Sequence, residues 1–377
     1  MAGDRSLASS IRRAQTVSLP GVILAVLMCL TGPVASSDEN TVPLPLPEPV
    51  SNNAVAEITL DGVQYVMSFM GIGPGKTYQD IKRTAWLWTS ESKKWTQFPN
   101  VPVDQGRLAS VALGMTDRIL LFGGYTVAAD GAEVSTPEVF VVDPREQTYV
   151  RRTDMPVPVD DTVALPYANR YVYLVSGWHD NGNVNDVQQY DTWNDAWTTA
   201  TAFPGAPVFG HAGGIVGNSM IVVGGVGVIG EADGKREFGA IEQAWKGTVN
   251  PDNTSEIEWQ AIPTTAGTNR YRMAAAGVGD ENRIFFAGGT ERPYNFSGIG
   301  YDGEPAEPTG DVFAYDLRQE HWLQISRLNR PPTMDHRGLL RLPGGALITI
   351  GGMGKHQRVI SDITVFSPTG TDEAQIR

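Results

Sequence analysis

An apolar strand ending in two glycines recurs along this chain of 377 residues. Its clearest copy is Arg283-Ile-Phe-Phe-Ala-Gly-Gly-Thr290, matched by Arg118-Ile-Leu-Leu-Phe-Gly-Gly-Tyr125, Met220-Ile-Val-Val-Gly-Gly225 and Ala346-Leu-Ile-Thr-Ile-Gly-Gly352. Val66-Met-Ser-Phe-Met-Gly71 and Val172-Tyr-Leu-Val-Ser-Gly177 are degenerate copies. The second glycines fall at 71, 124, 177, 225, 289 and 352, giving spacings of 53, 53, 48, 64 and 63. A unit of this size cannot bury its apolar faces alone, and stacking such units around an axis solves the problem. The expectation is therefore all-β: a six-bladed propeller, one blade per glycine pair.

Four strands can be read within a repeat. Blade three shows 162–165 as the innermost, 171–176 as the second, 186–191 as the third and 197–202 as the outermost. The second strands are nearly continuous apolar runs, as expected where both faces pack on neighbours. Trp95, Tyr149, Trp197, Trp259 and Trp322 mark the outer strands of five repeats, but no Trp follows Gly352. The Pro-rich stretch 42–50 is expected to supply the outer strand of the last blade, because an edge strand tolerates proline. Closure then joins the two chain ends and removes the open seam.

The first 36 residues read as an export signal: Arg5, Arg12 and Arg13, then the apolar run Val22 to Leu30, then the small-residue site Val34-Ala-Ser36. The domains expected are this leader over 1–36 and a propeller over 37–377. Arg12-Arg13 leaves Sec and twin-arginine export both open. The apolar run is too short to span a bilayer, so no integral membrane protein is expected. Localisation is expected to be periplasmic or secreted. The only cysteine, Cys29, lies in the leader, which excludes disulfides and thiolate chemistry from the mature chain. Removing the leader takes away three of 29 basic and one of 42 acidic residues, leaving a formal charge of −15. Such a surface repels phosphate backbones, so nucleic acid is not expected as a partner.

The strand-Gly-Gly element, the pairs Tyr190-Asp191 and Tyr315-Asp316, and the following Trp197 and Trp322 resemble kelch repeats over roughly residues 42–368. An exported six-bladed kelch chain with an N-terminal Leu-Pro-rich segment is similar to the bacterial N-acetylneuraminate epimerase (sialic acid mutarotase) group. That resemblance implies a sugar isomerase. The group's proposed proton acceptor is a glutamate directly after the glycine that ends the second strand of blade four. Here Val226 follows Gly225, with Glu231 and Arg236 further into the loop.

In a meander, the start of each innermost strand and the end of each second strand share one face of the propeller. Aligning the lead-in points gives Asn53, Arg107, Asp161, His211, Arg272 and Arg337, expected to ring the channel mouth. Guanidinium forks there match a carboxylate ligand, although an arginine at this point equally serves to fasten adjacent blades. His179, His211, His336 and His356 map to the same face. Spread over separate loops they have no metal-ligand spacing, so neither metal nor cofactor is expected. The blade-five loop, from Thr290 to Pro305, is longer than a turn requires and carries Glu291, Tyr294, Phe296, Tyr301 and Asp302. The expected site has Glu291 as base and His336 as acid, with Arg272 and Arg337 on an anionic group. Arg107, Asp161, His179, His211, Tyr294 and Tyr301 complete the ligand contacts. The ligand is expected to be a small acidic or hydroxylated sugar, bound by a monomer. The alternative is a non-catalytic module that holds a protein or polysaccharide on the same face.

Overall fold

The computed structural model describes residues 42–327, 331–366 and 374–375. The expected leader over 1–36 lies outside them. The architecture is a six-bladed β-propeller whose only helical turns, among the described residues, are Tyr78–Asp80 and Lys355–Gln357. No described helix is long and apolar enough to cross a membrane.

Each blade is an antiparallel meander. Blade one comprises Ala54–Leu60, Val63–Ile72, Ile81–Thr89 and Trp95–Phe98. Blade two comprises Val111–Gly114, Ile119–Phe122, Val139–Asp143 and Thr148–Arg152. Blade three comprises Val163–Tyr167, Tyr171–His179, Gly182–Asp191 and Ala196–Thr199. Its middle strands run further than expected, because Asp180 and Asn181 alone make the turn between them. Blade four comprises Ala212–Val216, Ser219–Val223, Ala244–Val249 and Ile257–Ala261. Blade five comprises Ala274–Val278, Arg283–Ala287, Asp311–Asp316 and His321–Arg327, with Ala374–Gln375 paired to its outer strand. Blade six comprises Leu340–Arg341, Leu347–Ile350 and Ile363–Phe366. The innermost strands touch in succession around the axis, and that of blade six touches that of blade one.

The core sits between blades. Phe286 stacks on Phe313 with centroids 5.2 Å apart, and Trp322 packs on both. Trp197 lies 4.7 Å from Tyr190 in the same role in blade three. Each outer-strand aromatic also ties its blade to the one before. Tyr149 donates to Pro99 O, Trp197 to Thr153 O, Trp259 to Thr201 O and Trp322 to Pro263 O. Each accepting carbonyl lies one or two residues past the outer strand of the preceding blade.

This regularity places the N-terminal segment. Trp95 of blade one donates to Leu44 O at 2.6 Å, so Leu44 stands where a linker leaves an outer strand. Leu46 N–H donates to Ser361 O, just before the third strand of blade six. Met155 N–H and Phe203 N–H make matching bonds in blades two and three. No strand is assigned to 42–50. By register the segment is the linker from blade six into blade one rather than the expected outer strand, and three strands of blade six are described. Gly352 N–H donating to Val50 O at 2.9 Å closes the ring between these two blades.

The glycine pairs make the same contact elsewhere. Gly71, Gly177, Gly225 and Gly289 each donate their N–H to a carbonyl in the lead-in of the next blade. In blade five both residues of the pair are left-handed, at φ +69° and +78°, and a Cβ on Gly288 would stand 2.4 Å from Thr333 O. Only glycine meets both demands without strain.

Candidate functional site

Six backbone bridges repeat around the axis, joining each lead-in to the residue after the glycine pair: Ser51–Ile72, Leu108–Tyr125, Asp160–Trp178, Phe209–Val226, Tyr271–Thr290 and Met334–Met353. The residue after each lead-in is left-handed: Asn52, Ala109, Asp161, Gly210, Arg272 and Asp335. This is the ring at the channel mouth. The ring expected from the sequence matches it at Asp161 and Arg272, and departs from it by one or two residues elsewhere. Linkers of unequal length hide the register when only the sequence is aligned. Asn, Asp and Gly tolerate this conformation, whereas arginine adopts it at a cost of roughly 1–2 kcal/mol. What holds Arg272 there is its set of partners.

Arg272 makes a fork to Asp161, with Nε–Oδ1 at 3.2 Å and Nη2–Oδ2 at 2.5 Å, and reaches Asp335 Oδ1 at 3.1 Å. Arg337 adds a bond to Asp161 Oδ1 at 2.6 Å and grips Asn52 Oδ1. Asn52 and Ser51 in turn donate to Asp335, at 3.0 and 2.5 Å. All four charged side chains are buried, so the two guanidiniums and two carboxylates form a neutral plug across the axis. Burial alone would raise the Asp161 pKa, but Arg272 and Arg337 bring it below the usual carboxylate range. Tyr271 and Tyr294 lie against the Arg272 guanidinium with centroids 4.7 and 5.1 Å away. Arg272 and Arg337 therefore do not wait for an anionic ligand. A buried guanidinium needs carboxylates of its own chain, and these blades supply them.

Above the plug lies a cavity of about 320 Å³. Asp161 and Arg272 form its floor, joined by Asp160. Its aromatic lining includes Tyr125, Trp178, Phe209, Phe238, Phe296 and Tyr301. Two hairpins and the long blade-five loop build these walls. Tyr125–Val127 pairs with Glu133–Ser135 above blade two, and Val226–Ala232 with Lys235–Ala240 above blade four. Phe238 stacks on Tyr301 at 4.5 Å, which joins the blade-four hairpin to the blade-five loop. Arg236 lies 5.1 Å over Trp178 and donates to Asn181 O, which joins the same hairpin to blade three.

Three carboxylates line this cavity besides Asp161. Ser135 Oγ accepts from Asp180 N–H at 3.2 Å and donates to Asp160 Oδ2 at 2.6 Å. Burial pushes the Asp160 carboxyl well above the carboxylate range, and the charge on Asp161 pushes the same way. Glu133 is also raised, chiefly by burial and partly by Asp161, with Arg272 opposing. Asp180 Oδ1 accepts from Ser135 N–H at 3.1 Å.

The remaining expected residues fall elsewhere. Glu291 is exposed and lines a separate rim depression with Arg292 and Glu307. His336 is buried against Thr333 Oγ1 at 2.8 Å and lines the channel beneath the plug. The expected pairing of Glu291 as base with His336 as acid is corrected accordingly: they line different cavities. Burial lowers the pKa of His336 to about 4, so it is neutral near pH 7. His211 lines the same channel, donates through Nε2 to Val175 O at 2.8 Å, and is likewise lowered to about 4 by burial. Arg107 is buried on Glu138 at 2.7 Å and fastens blade two. Tyr294 is fully buried behind Arg272 rather than in the cavity. His179 Nδ1 donates to Pro158 O at 2.7 Å, and its neighbours Trp178 and Asp180 line the cavity in its place. Tyr301 does line it. The residues that alignment missed are Glu133, Asp160, Phe238 and Asp335. The adjacent pair Asp160-Asp161 at a lead-in was the available signal for one of them. No group of three or more His, Cys, Asp or Glu side chains among the described residues has metal-binding geometry.

No family model matches the chain. Among curated proteins, Kelch-like protein 15 of Gallus gallus is 32% identical over 128 residues, which is 34% of this chain and 25% of that protein. The Danio rerio protein of the same name is 24% identical over 179 residues, 47% of this chain and 29% of that protein. The chain thus spans under a third of the length of these relatives. The solved structure of YjhT aligns over 89% of this chain and all of its own, with a TM-score of 0.68 at 14% identity, a likeness of fold. Six antiparallel repeats closed around an axis, five of four strands and the last with three described, each carrying a left-handed glycine at the end of its second strand, make this chain a kelch-type β-propeller.

Proposed function

We propose that this chain binds a small hydroxylated sugar in the mouth cavity, interconverts its forms as an isomerase, and works outside the cytoplasm. The observation that carries this reading is one concave space with flat aromatic walls and convergent polar groups on its floor. Such a space suits a ligand with apolar ring faces and a polar rim. The resemblance to the N-acetylneuraminate epimerase group supports the same class of reaction. The leader-like residues 1–36 support export.

Between a neutral and an acidic sugar, the cavity favours the neutral one. Arg272 is spent on Asp161 and Asp335, so Arg236 at the lip is the remaining cation in a lining that also holds Glu133 and Asp180. The test is NMR titration of the purified protein with glucose, N-acetylglucosamine, glucuronate and N-acetylneuraminate. Binding with faster anomer exchange, stronger for the neutral sugars, is expected. Absence of binding to all four rejects the reading.

One observation favours a second reading, a surface that holds a macromolecule. Val134, Val228 and Ile229 stand 53%, 44% and 62% exposed on the two hairpins that rim the mouth. A polysaccharide or protein partner would cover them.

A further inference from the structure

We infer that Asp160 and Glu133 are the acid and base of the reaction at this site, with Ser135 as the residue that positions Asp160. The inference rests on the sugar reading and goes beyond it by assigning the proton transfers. Glu133 and Ser135 are alternate residues of one strand, Glu133–Ser135, so they share a face of the blade-two hairpin. Asp160 and Glu133 line one cavity. Ser135 Oγ accepts from Asp180 N–H and donates to Asp160 Oδ2 at 2.6 Å, with Trp178 O a second acceptor at 3.5 Å. Oδ2 is thereby engaged with Ser135, and Oδ1 is the oxygen free to meet a ligand.

Two carboxyls held in different states are what an acid–base pair requires. Burial and the charge on the neighbouring Asp161 both favour the protonated form of Asp160, against the Ser135 hydrogen bond and Arg272. Glu133 is exposed on its strand, burial of its carboxyl raises its basicity, and the charge on Arg272 favours its carboxylate form. The groups that act on Asp160 come from every wall. Asp161, Ser135, Glu133 and Arg272 act on it directly, and Tyr125 of blade two, Asp180 of blade three, Arg236 of blade four and Tyr301 of blade five line the same cavity.

The step is anomer exchange of a cyclic hemiacetal. Glu133 takes the proton of the anomeric hydroxyl, and the electron pair left on that oxygen forms the carbonyl at the anomeric carbon. The bond from that carbon to the ring oxygen breaks, and the ring oxygen takes the proton of Asp160. After rotation about the next carbon–carbon bond, the reverse transfers close the ring on the other face. Protonated Glu133 returns its proton to the carbonyl oxygen, and the Asp160 carboxylate recovers one from the ring hydroxyl. Each group ends as it began, and neither oxidant nor metal enters the balance.

Exchange NMR on the full chain with glucose tests this, using Glu133→Gln, Asp160→Asn and Ser135→Ala, with Glu291→Gln as the unaffected control. Glu133→Gln and Asp160→Asn are each expected to reduce the acceleration about 100-fold while sugar binding stays within about threefold of the parent. The Ser135 hydrogen bond lowers the Asp160 pKa. Ser135→Ala is therefore expected to move the alkaline limb of the pH–rate profile upward, a shift that a purely structural residue would not produce. If Asp160→Asn fails to fold, the exposed Glu133→Gln decides alone. Unchanged exchange in Glu133→Gln overturns the assignment while the sugar reading stands. Binding without acceleration by the parent protein also overturns it, whereas absence of binding rejects the sugar reading itself.

Discussion

Two cavities lie on the propeller axis, one on each side of the Asp161–Arg272–Asp335–Arg337 plug, and their walls differ in kind. The lower channel, about 220 Å³, is walled by the innermost strands and includes Gly114, Gly214, Gly277 and Gly338. Glycine recurs there because neighbouring strands crowd together: a Cβ on Gly114 would meet Glu57 O at 1.8 Å. The upper cavity is walled by hairpins and a loop that the blades do not need for their own packing. Repetition dictates the lower walls, so they offer little variety, whereas the upper walls carry six aromatic rings and unequal charges. The difference shows where a repeated fold can be individual: in the segments that leave the ladder.

The largest effect should come from breaking the plug that divides the two spaces. Arg272→Met leaves Asp161 and Asp335 buried without their main cation, and is expected to cost roughly 3–5 kcal/mol in urea unfolding. Arg236→Ala, at the lip of the upper cavity, should cost under about 1 kcal/mol because its interactions are solvent-exposed. Equal losses would mean that the plug is not the structural element and the lip not the variable one.

A smaller effect separates the cavities by pH. His211 and His336 belong to the lower channel, and both have folded pKa values near 4 against an ordinary 6.5. Between these values the unfolded chain binds protons that the folded chain refuses, so stability falls as pH drops from about 6.5 to about 4. Glu57 works in the opposite sense. Burial raises it to about 7, so its contribution is present below about 4.5 and lost as pH rises through 7. Replacing both histidines with Gln should flatten the acid limb by a few kcal/mol, read from urea midpoints at pH 4.5 and 7. An unchanged slope would place the acid sensitivity elsewhere.

The smallest change in stability should accompany a change confined to the upper cavity. Tyr301 is 43% exposed and stacks on Phe238 at 4.5 Å. Tyr301→Ala should weaken glucose binding about tenfold, as expected for loss of about 1.4 kcal/mol of contact, and move stability by less than about 1 kcal/mol. Loss of fold without change in binding would make the ring a plug for the mouth rather than a wall of the site.

Much of the scaffold was legible because repetition amplifies weak signals. A single apolar strand before Gly289 is ambiguous, but six at intervals near 50 residues are not. The outer-strand aromatics were legible for the same reason. The site was legible only in part. Asp161, Arg272 and Tyr301 stand at the mouth, but the partners of Arg272 have no local signal, since nothing in the sequence shows that Asp335 lies beside it. Glu291 looked suited to a base because it opens the long blade-five loop, yet that loop folds outward there and its aromatic residues turn inward. Glu133 gave no signal, being one acidic residue among many on a surface hairpin.

The sequence by itself determined the blade count, the strand order and the face on which the loops gather, because these follow from periodicity and chain connectivity. Only the tertiary structure decided which charges neutralise one another and which stay available. Asp160 and Asp161 are neighbours in the chain with the same side chain, yet one points at Ser135 and has its pKa raised by burial, and the other takes two guanidiniums that bring its pKa down. Their partners come from blades up to 176 residues away along the chain, and burial multiplies each contact by removing the water that would have made the two carboxyls alike.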